Sequence, residues 1–148
     1  LSLHDALPIY NGVRLVHHHR PLLDLPEADV WAVHRALGIL PHPAYRLGYP
    51  RLSCQMCVFM DKDQAATNRA ISPDAFARLC DYEARWGVTV KRDRNLTRLA
   101  DAGTPYPQVA DTALVALALD HDYREAVTVD PAHWRTPAGA FKRGGGPT

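Results

Sequence analysis

The sequence predicts a mainly α-helical chain with one or two short strands. Apolar residues recur at helical spacing in several segments, and Gly or Pro interrupts the chain between these segments. Only the run 13–19 alternates as a strand does, and no series of strands alternating with helices follows it. A complete nucleotide-binding α/β domain is therefore not expected from these elements alone.

The predicted elements follow one another in a simple order. After the strand at 13–19, Asp24 and Glu27 have capping-box spacing and predict the start of a helix that ends at Gly38. The prolines and glycines of residues 39–60 exclude a long regular element and predict a structured loop. Further helices are predicted from Asp61 to about Ala70, from Ser72 to Trp86, from Asn95 to Ala102 and from Gln108 to about Leu119.

The composition indicates a soluble, cytoplasmic protein. The chain has 148 residues, of which 47% are hydrophobic, enough for a packed core and too many for a disordered chain. A net charge of +1 gives no general electrostatic case for a nucleic-acid or membrane partner. No window approaches the apolar length of a membrane span. Three cysteines, an odd number, cannot form a complete disulfide framework.

The motif Cys54-x-x-Cys57 is the strongest chemical signal in the sequence. Two intervening residues allow a tight turn to present both thiolates to one zinc ion or iron–sulfur cluster. Such centres normally take four ligands, so the pair supplies half a site. A redox dithiol is the alternative interpretation of the same motif.

Further ligands are harder to assign. Cys80 could be a third, but its place on the apolar stripe of the helix 72–86 favours a small buried hydrophobic residue. His17 and His19 fall on one face of the predicted strand, where they either bind a metal or form a solvated strand edge.

The proline-rich loop also carries groups suited to an anion. His42 stands between two prolines, which fix its backbone, and it either faces an anion or a sugar or packs against Tyr45. Arg46 and Arg51 lie in the same loop and could bind phosphate or sulfate through their planar guanidinium groups. Solvated loop arginines are the alternative.

Catalytic motifs are absent from the sequence. It contains no glycine-rich phosphate loop of the GxxxxGK[ST] or GxGxxG type, no GxSxG elbow and no HExxH helix. We therefore assign no catalytic residue and expect this chain alone to lack turnover.

An ordered series of segments resembles the C-terminal half of the phosphoadenosine phosphosulfate (PAPS) reductase family, within the PP-loop adenine nucleotide alpha-hydrolase-like superfamily. The segments are HRPLLD at 19–24, EADVW at 27–31, LPHPAY at 40–45 and GYPRLSCQMC at 48–57. The resemblance implies that the chain is the distal part of a Rossmann-like α/β domain, without the N-terminal parallel sheet and phosphate loop. It also implies that Cys54 and Cys57 bind a [4Fe–4S] cluster, with zinc as the alternative, in the intact parent.

The same resemblance implies a substrate class. The loop carrying His42, Tyr45, Arg46 and Arg51 would border an adenine nucleotide (PAPS, adenosine 5′-phosphosulfate or ATP). The family's reductases end in a Glu-Cys-Gly-x-His motif, whereas this sequence has no cysteine after Cys80. Thiol-based reduction is therefore not supported, and a sulfur-transfer relative such as a DNA-phosphorothioation enzyme is an alternative.

These observations divide the chain into four regions. LSLHDALPI at 1–9 resembles translated library-adapter sequence and is interpreted as a foreign leader. Residues 10–107 form the reductase-like region, 108–130 a helical extension and 131–148 a flexible tail. The leading hypothesis is a C-terminal fragment of a sulfonucleotide-reductase-like protein. The alternative is a small non-enzymatic module, either helical or stabilised by zinc through Cys54, Cys57 and two of His17, His19, His42 or Cys80.

Overall fold

A computed structural model describes residues 9–10, 12, 15–16, 20–22, 24–52 and 54–142. The two short strands β1 (Ile9–Tyr10) and β2 (Leu15–Val16) pair antiparallel, with Ile9 opposite Val16. The α-helices are α1 (Glu27–Ala36), α2 (Pro43–Leu47), α3 (Lys62–Ile71), α4 (Pro73–Trp86), α5 (Leu96–Asp101) and α6 (Thr112–Leu119), with 3₁₀ turns at Pro107–Ala110 and Pro131–His133. The mainly α-helical prediction is confirmed, while the α/β parent domain stays a prediction.

Local capping chemistry explains where α3 begins but not where α1 begins. Asp61 accepts the backbone N–H of Gln64 at 2.8 Å and Gln64 accepts that of Asp61 at 3.1 Å, which forms the predicted capping box. The helix predicted in the α1 region is present, but its predicted capping box of Asp24 and Glu27 is wrong, because Pro26 occupies the N-cap position and no side chain caps this helix. The Glu27 carboxylate instead accepts the indole N–H of Trp31 at 2.8 Å.

The proline-rich segment contains one short helix. Pro43 is the first residue of α2, a position where its missing N–H costs nothing and its fixed φ suits a helix. Gly48 ends α2 with a φ of 108°, in the left-handed region that glycine adopts without strain. The helix therefore spans the five residues Pro43–Leu47, and the described residues between it and Asp61 are irregular.

The core of the described part of the chain contains two hydrophobic clusters, and α3 lies between them. Ala65 of α3 belongs to the first cluster, and Ile71 of α3 packs against the second. The first cluster consists of Met60, Ala65, Phe76, Leu96, Leu99 and Ala100, and Met56, Leu79, Cys80 and Val90 pack against it. The second consists of Leu47, Tyr49, Tyr106 and Leu114. The segment between Tyr49 and Met60 thus crosses from one cluster to the other.

Residues 131–142 differ from the flexible tail expected from their prolines and glycines. The Trp134 side chain is 2% exposed and its indole N–H donates to the carbonyl of Ile39 at 2.8 Å. Further along, the Gly139 N–H donates to the carbonyl of Tyr45 at 2.8 Å. A Cβ on Gly139 would lie 2.0 Å from the Tyr49 carbonyl oxygen, so only glycine allows this approach. The segment is therefore part of the packed structure.

Candidate functional site

A cavity of about 670 Å³ lies where the proline-rich segment meets the start of α4 and the end of α6. Apolar residues from both core clusters, including Leu47 and Met60, form part of its wall. Its polar and sulfur-bearing groups include those of His42, Arg51, Cys54, Cys57, Arg78 and His121. Four of the residues singled out from the sequence therefore line a single cavity.

The Cys54–Cys57 turn is fastened to α3 and α4 through Gln55. The Gln55 carbonyl accepts the side-chain N–H of Asn68 at 2.7 Å, and the Gln55 amide donates to the Ser72 hydroxyl at 2.8 Å. Cys54 is exposed and Cys57 is partly buried. These contacts hold the residue between the two thiols, so the turn has a fixed position at the edge of the cavity.

Asn68 is the buried residue on which this arrangement depends. Its side chain is 0% exposed, and its Oδ1 accepts the Tyr49 hydroxyl at 2.5 Å while its Nδ2 donates to the turn. Burial of Tyr49, reinforced by the neighbouring Tyr106, raises the pKa of the Tyr49 phenol above its ordinary value. The phenol therefore stays protonated and remains the donor to Asn68.

His42 caps α2 and lines the cavity at the same time. Its Nδ1 accepts the backbone N–H of Ala44 at 3.1 Å, so the neutral ring carries its proton on Nε2. Arg51 also lines the cavity, with its guanidinium 5.9 Å from the ring centroid of Phe59. The cavity wall thus includes an imidazole and a guanidinium group, two side-chain types that can donate hydrogen bonds to an anion.

Tyr45 and Arg46 do not line this cavity. Both lie on α2, whose Ala44 and Leu47 form the cavity wall, so helical periodicity directs the two predicted residues elsewhere. The Tyr45 ring contacts Trp31 edge-on, with centroids 5.5 Å apart. Arg46 is solvent-exposed.

Arg78 and His121 reach the cavity from elements distant in the sequence. Arg78 lies on α4 and His121 follows the end of α6. Asp120 also lines the cavity, and its carboxylate accepts the N–H of Asp122 at 2.8 Å. Neither basic residue belongs to a recognisable motif, so sequence reasoning missed both.

The donor set for a metal is incomplete within the described part of the chain. Among those residues no group of three or more His, Cys, Asp or Glu side chains is placed to hold a metal ion. The Cys80 sulfur lies 3.5 Å from the Thr97 hydroxyl and packs against the first cluster, as expected of a small core residue. His17 and His19 lie outside the described residues. The role of Cys54 and Cys57 as two ligands of a four-ligand centre therefore stays a prediction.

Comparison with known proteins gives two partial relatives. Part of the chain is 34% identical over 68 residues to the uncharacterized 37.8 kDa protein in gpa 5′region of Escherichia phage 186, covering 46% of this chain and 20% of that protein. It is 41% identical over 39 residues to adenosine 5′-phosphosulfate reductase of Burkholderia cepacia, covering 26% of this chain and 16% of the reductase. No family model and no solved structure matches.

The chain therefore spans a fifth or less of the length of these two relatives. The second match agrees with the resemblance to the PAPS reductase family, although it covers too little of either chain to establish membership.

None of the described helices combines the length and the hydropathy required to cross a bilayer.

Proposed function

We propose that the cavity is part of an adenine-sulfonucleotide site in a sulfonucleotide-reductase-like protein. The observation that carries the proposal is the convergence of His42, Arg51, Cys54 and Cys57 on one cavity of about 670 Å³. That volume is in the range of small-molecule sites. The partial identity to an adenosine 5′-phosphosulfate reductase supports the choice of ligand class.

The groups around the cavity suit the two chemical parts of such a ligand. Arg51 and Arg78 can each form charge-assisted hydrogen bonds to phosphate or sulfate oxygens, and His42 can donate a further one from Nε2. The apolar wall around Leu47 and Phe59 offers the nucleobase a surface away from water. The described residues thus position and bind the nucleotide, and none is assigned a catalytic role.

In this proposal Cys54 and Cys57 provide two thiolates to an iron–sulfur cluster or a zinc ion beside the nucleotide. When bound, an iron–sulfur cluster would supply redox or electrostatic chemistry, whereas zinc would supply structural support. The remaining ligands would come from residues outside the described part of the chain or from another chain. Asn68 and Gln55 hold the turn that carries the two thiols in place.

Nucleotide binding tests the first half of the proposal. Adenosine 5′-phosphosulfate, PAPS and ATP are titrated into the chain by calorimetry, with Arg51→Ala as the test variant and Arg46→Ala as the matched control. Loss of a charge-assisted contact should weaken binding about 10-fold or more in Arg51→Ala. Arg46→Ala should bind as the wild type does. No binding of any of the three nucleotides, or an equal loss in both variants, would contradict the proposal.

Metal binding tests the second half. Co²⁺ is titrated into the reduced chain, and thiolate-to-metal charge-transfer absorption is recorded for wild type, Cys54→Ser, Cys57→Ser and Cys80→Ser. We expect the absorption in wild type and Cys80→Ser and its loss in the other two variants. If it persists without Cys54 or requires Cys80, the assignment of the ligand pair is wrong.

A further inference from the structure

The outer face of α4 exposes two large aromatic side chains side by side. Tyr82 is 45% exposed and Trp86 is 62% exposed, and their rings stack with centroids 4.9 Å apart and an interplanar angle of 13°. The outer faces of such a stacked, exposed pair leave π surface available to a planar ligand. The core-facing side of the same helix carries Phe76.

Two arginines share this face with the aromatic pair. Arg78, Tyr82, Arg85 and Trp86 follow the spacing i, i+4, i+7 and i+8, which places all four along one stripe of α4. All four residues are exposed. The two ion pairs found among the described residues are Arg69–Asp101 and Arg94–Asp93, so neither uses Arg78 or Arg85. We call these four residues the α4 aromatic face.

The chain after α4 is tied back to the buried side of this helix. The buried Glu83 carboxylate accepts the N–H of Val90 at 2.7 Å and that of Leu96 at 2.8 Å, which ties the returning segment to α4. That segment carries Lys91 and Arg92. Residues 78–92 thus contain four basic side chains and, besides the buried Glu83, one acidic side chain at Asp81.

We propose that the α4 aromatic face binds single-stranded nucleic acid. Proteins that bind single strands combine cationic groups for the backbone with aromatic rings on which bases stack. Arg78 and Tyr82 are four residues apart, as are Tyr82 and Trp86, so the helical rise separates each pair by about 6 Å along the axis. An acidic peptide would use the arginines alone and gives no reason for an exposed stacked pair.

The position of Arg78 connects this face to the rest of the molecule. Arg78 also lines the cavity at the start of α4, so a strand lying along the face would end beside that cavity. The proposal does not use Arg51, Cys54 or Cys57. Its failure and the failure of the nucleotide and metal assignments are therefore distinguishable.

Fluorescence anisotropy with a labelled oligothymidylate tests the proposal on the whole chain at several salt concentrations. Trp86→Ala should weaken binding about 10-fold through lost stacking while leaving the salt dependence unchanged. Arg85→Ala should lower the slope of log K against log salt by about 0.7, the value for one phosphate contact on a single strand. Trp86→Phe, which keeps an aromatic ring, should retain most of the affinity.

Arg124→Ala is the matched control, because Arg124 is exposed and lies outside this face, and it removes the same charge. Circular dichroism verifies that each variant is folded. The proposal is overturned if the oligonucleotide does not bind, or if Trp86→Phe binds as weakly as Trp86→Ala. It is also overturned if Arg124→Ala changes the salt slope as much as Arg85→Ala, or if polyglutamate competes as well as unlabelled oligonucleotide.

Discussion

The buried contact between Tyr49 and Asn68 gives the sharpest prediction, because it joins the cavity wall to the Cys54–Cys57 turn. The Tyr49 hydroxyl donates to Asn68 at 2.5 Å, and Asn68 donates to the Gln55 carbonyl at 2.7 Å. Tyr49→Phe removes the first bond and leaves the turn contact. Asn68→Ala removes both bonds and leaves two polar groups without their partner.

The cost of each change follows from the groups that lose a partner. In Tyr49→Phe the buried Oδ1 of Asn68 loses its hydrogen-bond donor, which should lower the free energy of unfolding by about 1–3 kcal/mol. In Asn68→Ala both the Tyr49 hydroxyl and the Gln55 carbonyl lose a partner, so the cost should rise to about 2–5 kcal/mol. In the double variant only the Gln55 carbonyl lacks its partner, so the double variant should lose about 1–3 kcal/mol of stability. That loss is about 2–5 kcal/mol smaller than the sum of the two single losses, because the two side chains interact directly.

Urea unfolding of the four proteins measures these differences. With a denaturant slope of about 2 kcal/mol/M, a loss of 2 kcal/mol lowers the midpoint by about 1 M. Tyr45→Phe is the matched control, since its ring contact with Trp31 survives the change, and it should shift stability by less than about 0.5 kcal/mol. Strict additivity of Tyr49→Phe and Asn68→Ala, or a cost for Tyr45→Phe equal to that of Tyr49→Phe, would refute the reasoning.

Three further predictions concern the fold. The Tyr49 and Tyr106 phenols keep their protons to higher pH in the folded chain than in the unfolded chain. The free energy of unfolding should therefore fall as the pH rises above about 10, the ordinary pKa of tyrosine, and it should fall less steeply in Tyr49→Phe. Urea midpoints measured at about pH 8 and 11 test this. Glu83→Gln leaves one side-chain oxygen to accept the two backbone N–H groups of Val90 and Leu96. The free energy of unfolding should therefore fall by about 1–3 kcal/mol and lower the melting temperature. An unchanged melting temperature would contradict this. Trp134→Ala should lower the free energy of unfolding by about 3–5 kcal/mol, because it removes a buried side chain. A negligible decrease would show that the C-terminal segment is not part of the core.

Sequence reasoning located the helices whose ends depend on local chemistry. The Asp61 capping box begins α3, and Gly87 ends α4 with a φ of 62° in the left-handed region. Both signals act within a few residues, so α3 and α4 were predicted closely. The capping box predicted for α1 is absent, and the Glu27 carboxylate instead accepts the backbone N–H of Phe141, a residue 114 positions away in the sequence. Such long-range partners leave no periodic signal.

The candidate site also combines residues that are near one another in the sequence with residues that only the fold brings there. His42, Arg51 and the cysteine pair all lie within the segment 39–60 that the sequence predicts as one structured loop. Arg78 joins them because Gln55 and Ser72 fasten the loop to the start of α4. His121 joins them because α6 packs on α2. Both contacts are consequences of tertiary packing that no local pattern encodes.

The C-terminal segment shows where composition misleads. Its prolines and glycines are typical of a flexible tail, yet Gly139 is required for a close approach to the Tyr49 carbonyl. Trp134 then supplies the apolar side chain that anchors the segment beside Trp31. The burial of one tryptophan therefore outweighs the tendency of the neighbouring prolines and glycines to form flexible chain.

Differential alkylation tests the central claim, that a sulfonucleotide occupies the cavity beside the two thiols. The reduced chain is treated with iodoacetamide in the presence and absence of adenosine 5′-phosphosulfate, and modification of each cysteine is followed by mass spectrometry. We predict slower modification of Cys54 and Cys57 with the nucleotide and an unchanged rate at Cys80, which packs against the first hydrophobic cluster and does not line the cavity. Equal rates at Cys54 and Cys57 with and without saturating nucleotide would contradict it.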